Sequence, residues 1–335
     1  MHNAKYPSFY AMKKKVGFVL YPDFQIVDAT GPAAVFEIGG VMSNVPYAIT
    51  MLSYEGGLVR SSSGISLHTQ RLDPDEVFDT LIVVGSAYYR SRLNDETLAS
   101  YLRQQASQTR RMCSVCTGAF FLADAGLLNG RRVTTHWQDI ENLRLHAGEA
   151  EVERDAIYIH DGQVWTSGGI TAGIDMALAL LTEDAGENVA QGVAQTMVLY
   201  YHRPGGEAQI SPLIRMATGA DRFSSLLGWI RANLATEMTV DLLADQMGMS
   251  PRNFSRSFKL TTGMSPAKAV ETLRLEAARE RVINGKIPIE LIADQTGFGD
   301  PERLRRAFNR VYGMSPQRMR QSHARRGREF DTTAL

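Results

Sequence analysis

Cysteine is scarce in this sequence, whose 335 residues include only Cys113 and Cys116. Two cysteines so close together are poorly placed for a structural disulfide, and their scarcity favours a reducing, cytoplasmic location. Long apolar runs are also missing, since no stretch approaches the roughly 18 residues that a membrane span needs. The apolar run at 16–21 is followed by Pro22 and Asp23, which fits a first strand better than a signal peptide.

Cofactor motifs are missing as well. The sequence has no zinc-ligand spacing, no phosphate-binding glycine loop and no sustained heptad repeat. We therefore predict neither a metal nor a nucleotide cofactor.

An excess of one charge is absent from the whole chain, which carries 36 basic and 36 acidic residues. The charges are nevertheless segregated. Residues 219–328 contain 19 lysines and arginines against 11 acidic residues, a difference of +8. A basic region of this size in a neutral chain indicates a polyanionic partner.

Two fold classes follow one another along the chain. Up to about residue 198, apolar strand-like segments alternate with helical stretches, which predicts a flavodoxin-like, mostly parallel sheet sandwiched by helices. The predicted strands are 16–21, 47–53, 79–85 and 111–115, with a hairpin over 157–167 that turns at Asp161-Gly162. The predicted helices are 31–38, 98–110, 116–126 and 172–184.

The strand pattern stops at a segment rich in glycine and proline, residues 202–212. Beyond it the chain is helical in period. We predict a sensor domain over 14–203, a linker over 204–220, an all-α DNA-binding domain over 221–322 and a disordered tail over 323–335.

The C-terminal region repeats itself. Residues 240–266 and 289–316 share the triplet Ala-Asp-Gln and, further on, an Arg-x-Phe pair and a Gly-Met-Ser-Pro ending. Each copy has an apolar helix, then Gly248 or Gly297 at a sharp turn, then a second helix with Pro251 or Pro301 in its first turn. This order of elements predicts two helix-turn-helix motifs.

The second helix of each motif offers polar side chains to a DNA major groove. Arg256 and Arg306 suit contacts with guanine, while Lys259 and Arg310 suit phosphate contacts. The full set of predicted DNA-binding residues is Arg252, Ser255, Arg256, Lys259, Glu302, Arg305, Arg306 and Arg310.

The segments ADQMGMSPRNFSRSFK and IADQTGFGDPERLRRAFNRVYGMSPQRMR closely resemble the AraC/XylS family of bacterial transcriptional regulators. The resemblance implies that the two recognition helices enter successive major grooves on one face of DNA. One departure is Arg303, which stands where the family usually has an aromatic residue.

Cys116 lies between a predicted strand and a predicted helix, in RMCSVCTGAFF. A residue at such a turn projects above the sheet edge, as in a nucleophile elbow. The helix N-terminus would favour a thiolate there, although a small buried cysteine in a tight turn is an equal alternative.

The segments around Cys116, together with GFVLYPDFQIVDATGPAAVFEIGG and TSGGITAGIDMALALL, resemble the PfpI-type, glutamine-amidotransferase-like superfamily. The whole chain resembles the GlxA-type regulators, which join such a domain to an AraC-like module. In related enzymes such as isocyanide hydratases, the matching cysteine is the nucleophile and an acidic residue, here Asp28, assists it. The superfamily's paired glycines after the third strand are Gly85-Ser86 here, which disfavours an oxyanion site.

We predict a DNA-binding transcriptional regulator whose N-terminal domain senses a small nitrogenous metabolite without turning it over. The predicted ligand-binding residues are Asp28, Gly85, Cys116, Thr117, His136 and Thr171, with Cys116 and Asp28 as candidate catalytic relics. The expected partners are an operator duplex, the effector, a second copy of the chain by analogy, and RNA polymerase, with no membrane.

Two alternatives remain open. In the first, the N-terminal domain is a cysteine-dependent hydratase or amidase. In the second, it is a thiol redox sensor in which Cys113 resolves an oxidised Cys116.

Overall fold

The computed structural model describes residues 13–199, 203, 205–206, 209, 223–285, 287–312 and 314–321. The chain divides into two compact units, residues 1–209 and 210–335. Most of the predicted linker and the predicted tail lie outside the described residues, so the domain limits stay predictions. No helix among the described residues is long and apolar enough to cross a membrane.

The first unit is built on an eight-stranded, mostly parallel sheet. Its strands are β1 (Lys14–Val19), β2 (Tyr47–Ser53), β3 (Gly57–Arg60), β4 (Ser66–Arg71), β5 (Thr80–Val83), β6 (Arg111–Val115), β9 (Tyr158–Asp161) and β10 (Val164–Ser167). Their order is β3-β4-β2-β1-β5-β6-β10-β9, and only the two outermost pairs are antiparallel. Two short strands, β7 (Arg132–Val133) and β8 (Glu151–Val152), pair separately. The predicted flavodoxin-like sheet is confirmed.

Helices cover both faces of this sheet. They are α1 (Ile26–Met42), α2 (Glu96–Ala106), α3 (Ala119–Asp124), α4 (Ile140–His146), α5 (Thr171–Ala185) and α6 (Glu187–Thr196). The chain leaves β1 toward β2 but leaves β5 in the opposite direction toward β6, so right-handed crossovers place α1 and α2 on opposite faces. Helices α1, α5 and α6 pack together, as do α2 and α3. The carboxyl ends of β1, β5 and β6 therefore meet at one edge, where ligand sites form in such sheets.

One predicted helix begins earlier than expected, and one hairpin was not predicted. Helix α1 begins at Ile26 rather than near residue 31, because the Gln25 side chain caps it by accepting a hydrogen bond from Val27 N at 3.2 Å. Pro32 therefore lies inside this helix. The β3–β4 hairpin was not predicted, since only Val59 and Thr69 in its strands are buried and its apolar pattern is weak.

The second unit contains both predicted helix-turn-helix motifs. Its described helices are α7 (Ser224–Ala232), α8 (Val240–Asp245), α9 (Pro251–Thr262), α10 (Pro266–Asn284), α11 (Ile289–Gln295) and α12 (Pro301–Tyr312), and a further helical stretch covers 316–321. The turn glycines Gly248 and Gly297 have φ values of 61° and 75°, the left-handed conformation that a sharp helix-helix turn requires.

Each motif has its own hydrophobic core. Phe254 and Phe258 on α9 are fully buried in the first core, and Leu304 and Phe308 on α12 are fully buried in the second, as the sequence predicted. Helix α10 joins the two cores, because its first half contributes Leu273 and its second half contributes residues such as Ala278 and Val282. The second helices of both motifs, α9 and α12, thus belong to one compact unit.

Candidate functional site

Cys116 occupies a strained turn at the carboxyl edge of the sheet. Strand β6 ends at Val115, and Cys116 follows with a φ of +58°, an uncommon conformation for a residue with a side chain. A short 3₁₀ turn over Cys116–Gly118 then leads into α3. The side chain is half-buried. The local geometry is that of a nucleophile elbow, as predicted.

Asp28 reaches the same point from the first turn of α1. Its side chain is fully buried and accepts hydrogen bonds from two backbone amides, Ile170 N at 2.7 Å and Gly85 N at 3.2 Å. Burial raises the pKa of Asp28 from 3.8 to about 6, against the opposing effect of hydrogen bonds from Ile170, Gly85 and the Cys116 side chain. This carboxyl group therefore titrates unusually close to neutral pH.

The half-buried Cys116 and the fully buried Asp28 form a mutually interacting pair. Burial and the neighbouring Asp28 carboxylate raise the pKa of the Cys116 thiol, although a hydrogen bond from the Thr117 amide acts in the opposite direction. The thiolate expected from the helix N-terminus is therefore not favoured while Asp28 is ionised. Near neutral pH the pair carries one negative charge, which resides on Asp28.

Two glycines allow the chain to approach Cys116 closely. A Cβ atom at Gly85 would lie 2.5 Å from Cys116 Cβ and 2.8 Å from Thr117 N. At Gly169, whose φ is +103°, it would lie 2.6 Å from Cys116 Cβ. Ile170 follows with a φ of +50° and donates its amide to Asp28. The segment from 169 to 170 therefore encloses the thiol and is attached to the buried carboxyl group.

The two amides after β5 are already paired. Gly85 N donates to Asp28, and Ser86 N donates to Thr117 Oγ1 at 2.9 Å. The Ser86 hydroxyl group points elsewhere, because it donates to Asp23 O at 2.7 Å and accepts from Tyr88 N at 2.9 Å. The amides that an oxyanion site would need are thus engaged within the protein.

Thr117 and Tyr21 complete the inner wall of the site. Thr117 is buried, and its hydroxyl group donates to Ser86 O at 2.8 Å. Tyr21 was not predicted; its hydroxyl group donates to Val84 O at 3.0 Å, and its ring lies 4.9 Å from that of Phe121 in α3. Burial, followed by the charges of Cys116 and Asp28, raises the pKa of the Tyr21 hydroxyl group, which indicates that this group lies near the pair.

His136 and Thr171 occupy more peripheral positions. The preceding residue, Thr135, donates a hydrogen bond to Cys116 O at 2.8 Å, so His136 is close in sequence to a contact with the elbow. His136 is half-buried, and burial lowers its pKa, which favours the neutral ring. Thr171 begins α5 and is exposed, and its hydroxyl group accepts from Arg203 at 2.9 Å. Contacts of His136 and Thr171 with a ligand stay predictions.

The predicted DNA-binding residues of the first motif lie on the outer face of α9. Arg252, Arg256 and Lys259 are exposed, whereas Ser255 is half-buried. The three exposed residues point away from the core around Phe254 and are available to a groove, whereas Ser255 lies at the edge of that core.

The corresponding residues of α12 are exposed as well. Glu302 and Arg305 form an ion pair with each other at 2.6 Å, so Arg305 is held by a neighbour one turn away. Arg306 is exposed, and Arg310 forms an ion pair with Glu271 on α10. Base and phosphate contacts by these residues stay predictions.

Two protein-family models match the chain. The DJ-1/PfpI family model matches residues 14–183, and a helix-turn-helix domain model matches residues 243–322. The first match covers the sheet with its Asp28–Cys116 pair. The second covers both repeats.

Curated relatives match either one domain or nearly the whole chain. Isonitrile hydratase from Pseudomonas putida is 38% identical over 182 residues, which cover 54% of this chain and 76% of the hydratase. The HTH-type transcriptional regulator GlxA from Rhizobium meliloti is 27% identical over 313 residues, 92% of this chain and 95% of that one. The HTH-type transcriptional regulator CdhR from Pseudomonas aeruginosa is 26% identical over 311 residues, 92% of each chain.

Solved structures share the fold of the first unit. An AraC family transcriptional regulator from Pseudomonas putida aligns with a TM-score of 0.51 at 22% identity, over 55% of this chain and 98% of that one. Drosophila melanogaster DJ-1beta aligns with a TM-score of 0.50 at 21% identity, over 57% and 100% of the two chains.

Proposed function

The chain belongs to the DJ-1/PfpI family and joins that domain to an AraC-type helix-turn-helix domain, and from this premise we propose that a small nitrogenous metabolite bound at Cys116 and Asp28 controls its binding to DNA. Relatives that match 92% of the chain are HTH-type transcriptional regulators, so the chain is a DNA-binding regulator with a sensing domain. The effector class and the site that binds it are the proposal.

The observation that supports this site most directly is the Asp28–Cys116 pair beneath the segment 169–170. The pair supplies a buried negative charge, and within the described residues no lysine or arginine side chain donates a hydrogen bond to either group. A ligand with an ammonium or N–H group would complement that charge and hold Asp28 ionised. Such a ligand would favour the arrangement of the segment 169–170 that it contacts, which is the differential binding that a sensor needs.

Sensing is favoured over turnover by the backbone amides next to the cysteine. Gly85 N and Ser86 N are both hydrogen-bonded to side chains of the protein, so neither is free to stabilise an oxyanion. We further propose that the signal changes the pose or pairing of the DNA-binding domains within a homodimer.

A second candidate function is hydration of an isonitrile. It is favoured by the elbow geometry of Cys116, with Asp28 hydrogen-bonded beside it, and by the 38% identity to a hydratase over the first unit. In that case the ionised Asp28 takes the thiol proton as Cys116 Sγ adds to the isonitrile carbon, and it delivers that proton to the same carbon. Water then adds to the resulting thioimidate, and departure of the Cys116 thiol leaves an N-substituted formamide.

The redox alternative is weaker. Cys113 is fully buried within β6, and burial raises its pKa to about 12. A thiol that is buried and protonated attacks a sulfenic acid slowly, so Cys113 is poorly suited to resolve an oxidised Cys116.

A thermal-shift screen of the full chain against amino acids, amines and quaternary amines tests the proposal. A ligand that binds the native state raises the melting temperature of the wild type by mass action. We expect Cys116→Ala and Asp28→Ala to abolish that shift, while the matched surface variant Asp75→Ala retains it.

The fate of the ligand separates the two functions. Recovery of the compound unchanged, together with an altered affinity for DNA, supports the sensor. Consumption of the compound, or of a simple alkyl isonitrile, in a Cys116-dependent reaction supports the enzyme and contradicts the non-catalytic sensor.

A further inference from the structure

A groove in the second unit concentrates positive charge. It has a volume of about 550 Å³ and lies between α10 and α12, with Met238, Val270 and Phe298 among its apolar lining residues. Its cationic lining residues, which define the basic groove, are Lys268, Arg274, Arg303, Arg306 and Arg310. Among the described residues that line it, Glu271 alone is acidic.

The basic groove is walled by the second predicted recognition helix, and one end of it lies a short connection away from the first. Lys268 is in the first turn of α10, which begins four residues after α9 ends at Thr262. Arg303, Arg306 and Arg310 follow a spacing of three and four residues and therefore share one face of α12. Because Arg306, a predicted base-contacting residue of α12, also lines the groove, we expect a duplex bound to α12 to bring its backbone to this groove.

Arg303 lies close to a second cation of the basic groove. Its side chain is exposed and lines the groove. It lies close enough to Arg274 for its charge, after burial, to lower the pKa of the Arg274 guanidinium. Arg274 is held there by hydrogen bonds to Leu234 O at 3.0 Å and Thr236 O at 2.7 Å. Cations fixed so close to one another are destabilising unless an anion lies between them.

Glu271 neutralises only part of this charge. Its carboxylate binds Lys268 at 2.8 Å and also contacts Arg310. Arg303 and Arg306 have no ion pair among the described residues. In the absence of DNA, Glu271 therefore holds two of the groove's five cations and leaves a net positive site.

We propose that the basic groove binds the phosphodiester backbone of the operator between the two segments met by α9 and α12, and that Glu271 is the internal anion that this backbone displaces. The inference rests on the DNA-binding function of the chain. It assigns Lys268 and Arg303 as phosphate-binding residues, and it makes Arg274 a positioning residue for the groove wall.

Backbone binding predicts a defined salt dependence. Each phosphate contact contributes about 0.9 to the slope of log Kd against log salt concentration. Full-length protein first enriches a duplex from a random-sequence library, and its affinity for that duplex and for a scrambled duplex is then measured by fluorescence anisotropy at several KCl concentrations. We expect Arg303→Gln and Lys268→Gln each to lower the slope by about 0.9 on both duplexes.

In practical terms, the affinity loss of each variant relative to the wild type shrinks about 3.5-fold between roughly 50 and 200 mM KCl. Both side chains are exposed, so the variants keep the native melting temperature. The control is Arg231→Gln on α7, an exposed arginine outside the groove, which leaves the slope unchanged.

Glu271→Gln supplies a test with the opposite sign. Removal of the competing carboxylate frees Arg310 and Lys268, so binding to both duplexes tightens and the salt slope steepens. In the Glu271→Gln background, Arg310→Gln should also cost more affinity than it does in the wild type, because Arg310 is no longer neutralised.

Two results would overturn the groove assignment. One is an unchanged salt slope in both Arg303→Gln and Lys268→Gln. The other is an affinity loss confined to the enriched duplex, which is the signature of base contacts rather than backbone contacts. A wild-type protein that enriches no duplex would instead contradict the DNA-binding function itself.

Discussion

Replacing Asp28 with asparagine removes a buried carboxyl group whose pKa rises from 3.8 to about 6 when the chain folds. The folded state therefore binds this proton more tightly than the unfolded state does. The resulting stabilisation is complete below about pH 3.8 and is lost as the pH rises through 6. Because one pKa unit corresponds to about 1.4 kcal/mol, ionisation of Asp28 costs about 3 kcal/mol of unfolding free energy, most of which falls between pH 4 and 7.

The assay is urea unfolding at several pH values in a Trp229→Phe background, so that the fluorescence change comes from Trp137 and Trp165 in the first unit. The quantity of interest is the unfolding free energy of the reference protein minus that of its Asp28→Asn derivative. This difference should fall by about 2 kcal/mol from pH 4 to pH 7. Cys116 does not titrate in this window, because its pKa is raised.

Asparagine also changes the hydrogen bonds, but that effect is independent of pH. The side chain of Asp28 accepts from Ile170 N and Gly85 N, and an amide can accept from only one of them, which adds a constant cost of about 1–3 kcal/mol. The matched control is Asp75→Asn, which makes the same change at an exposed position. A difference between the reference and Asp28→Asn that stays constant from pH 4 to pH 7 would refute the raised pKa of Asp28.

Three further predictions follow from the site and the repeats. Gly85→Ala should destabilise the first unit by about 1–3 kcal/mol, since its Cβ would lie 2.5 Å from Cys116 Cβ; calorimetry showing an unchanged melting temperature would contradict the close packing. Arg256→Ala and Arg306→Ala should each cost about 1–3 kcal/mol of binding to the enriched duplex, and unchanged affinity in both would count against the assignment of recognition helices. A fragment lacking residues 1–215 should bind that duplex without responding to any metabolite. A residual response would show that the effector site does not lie in the first unit.

The second unit was the more predictable part of the molecule. Its evidence lies in local patterns that repeat, such as the turn glycine followed by proline in each motif, and these patterns determine where helices begin and end. The elbow at Cys116 was predictable for a similar reason, because a strand followed directly by a helix leaves few conformations for the residue between them.

The partners of the elbow were harder to predict, because they come from distant segments. Ile170 N contacts Asp28 across 142 residues, and Ile170 is an apolar residue with no pattern that marks it as a hydrogen-bond donor to a buried acid. The pairing of Glu271 with Arg310 was equally hard to predict, since the two residues are 39 positions apart and lie on different helices. Sequence periodicity predicts which face of an element is buried, but it does not identify the residue of another element that contacts this face.

Strain and charge at the elbow together explain why this geometry suits a sensor. Cys116 and Ile170 both have a positive φ without being glycine, which costs on the order of 1 kcal/mol each or more. Asp28 contacts both residues, through the thiol of Cys116 and the amide of Ile170. A ligand that takes over either hydrogen bond changes the balance between that strain and the buried charge. An effector shifts a conformational equilibrium only by its difference in affinity for the two states. Because backbone strain and buried charge already oppose each other at this site, a small molecule with few contacts would supply enough of that difference.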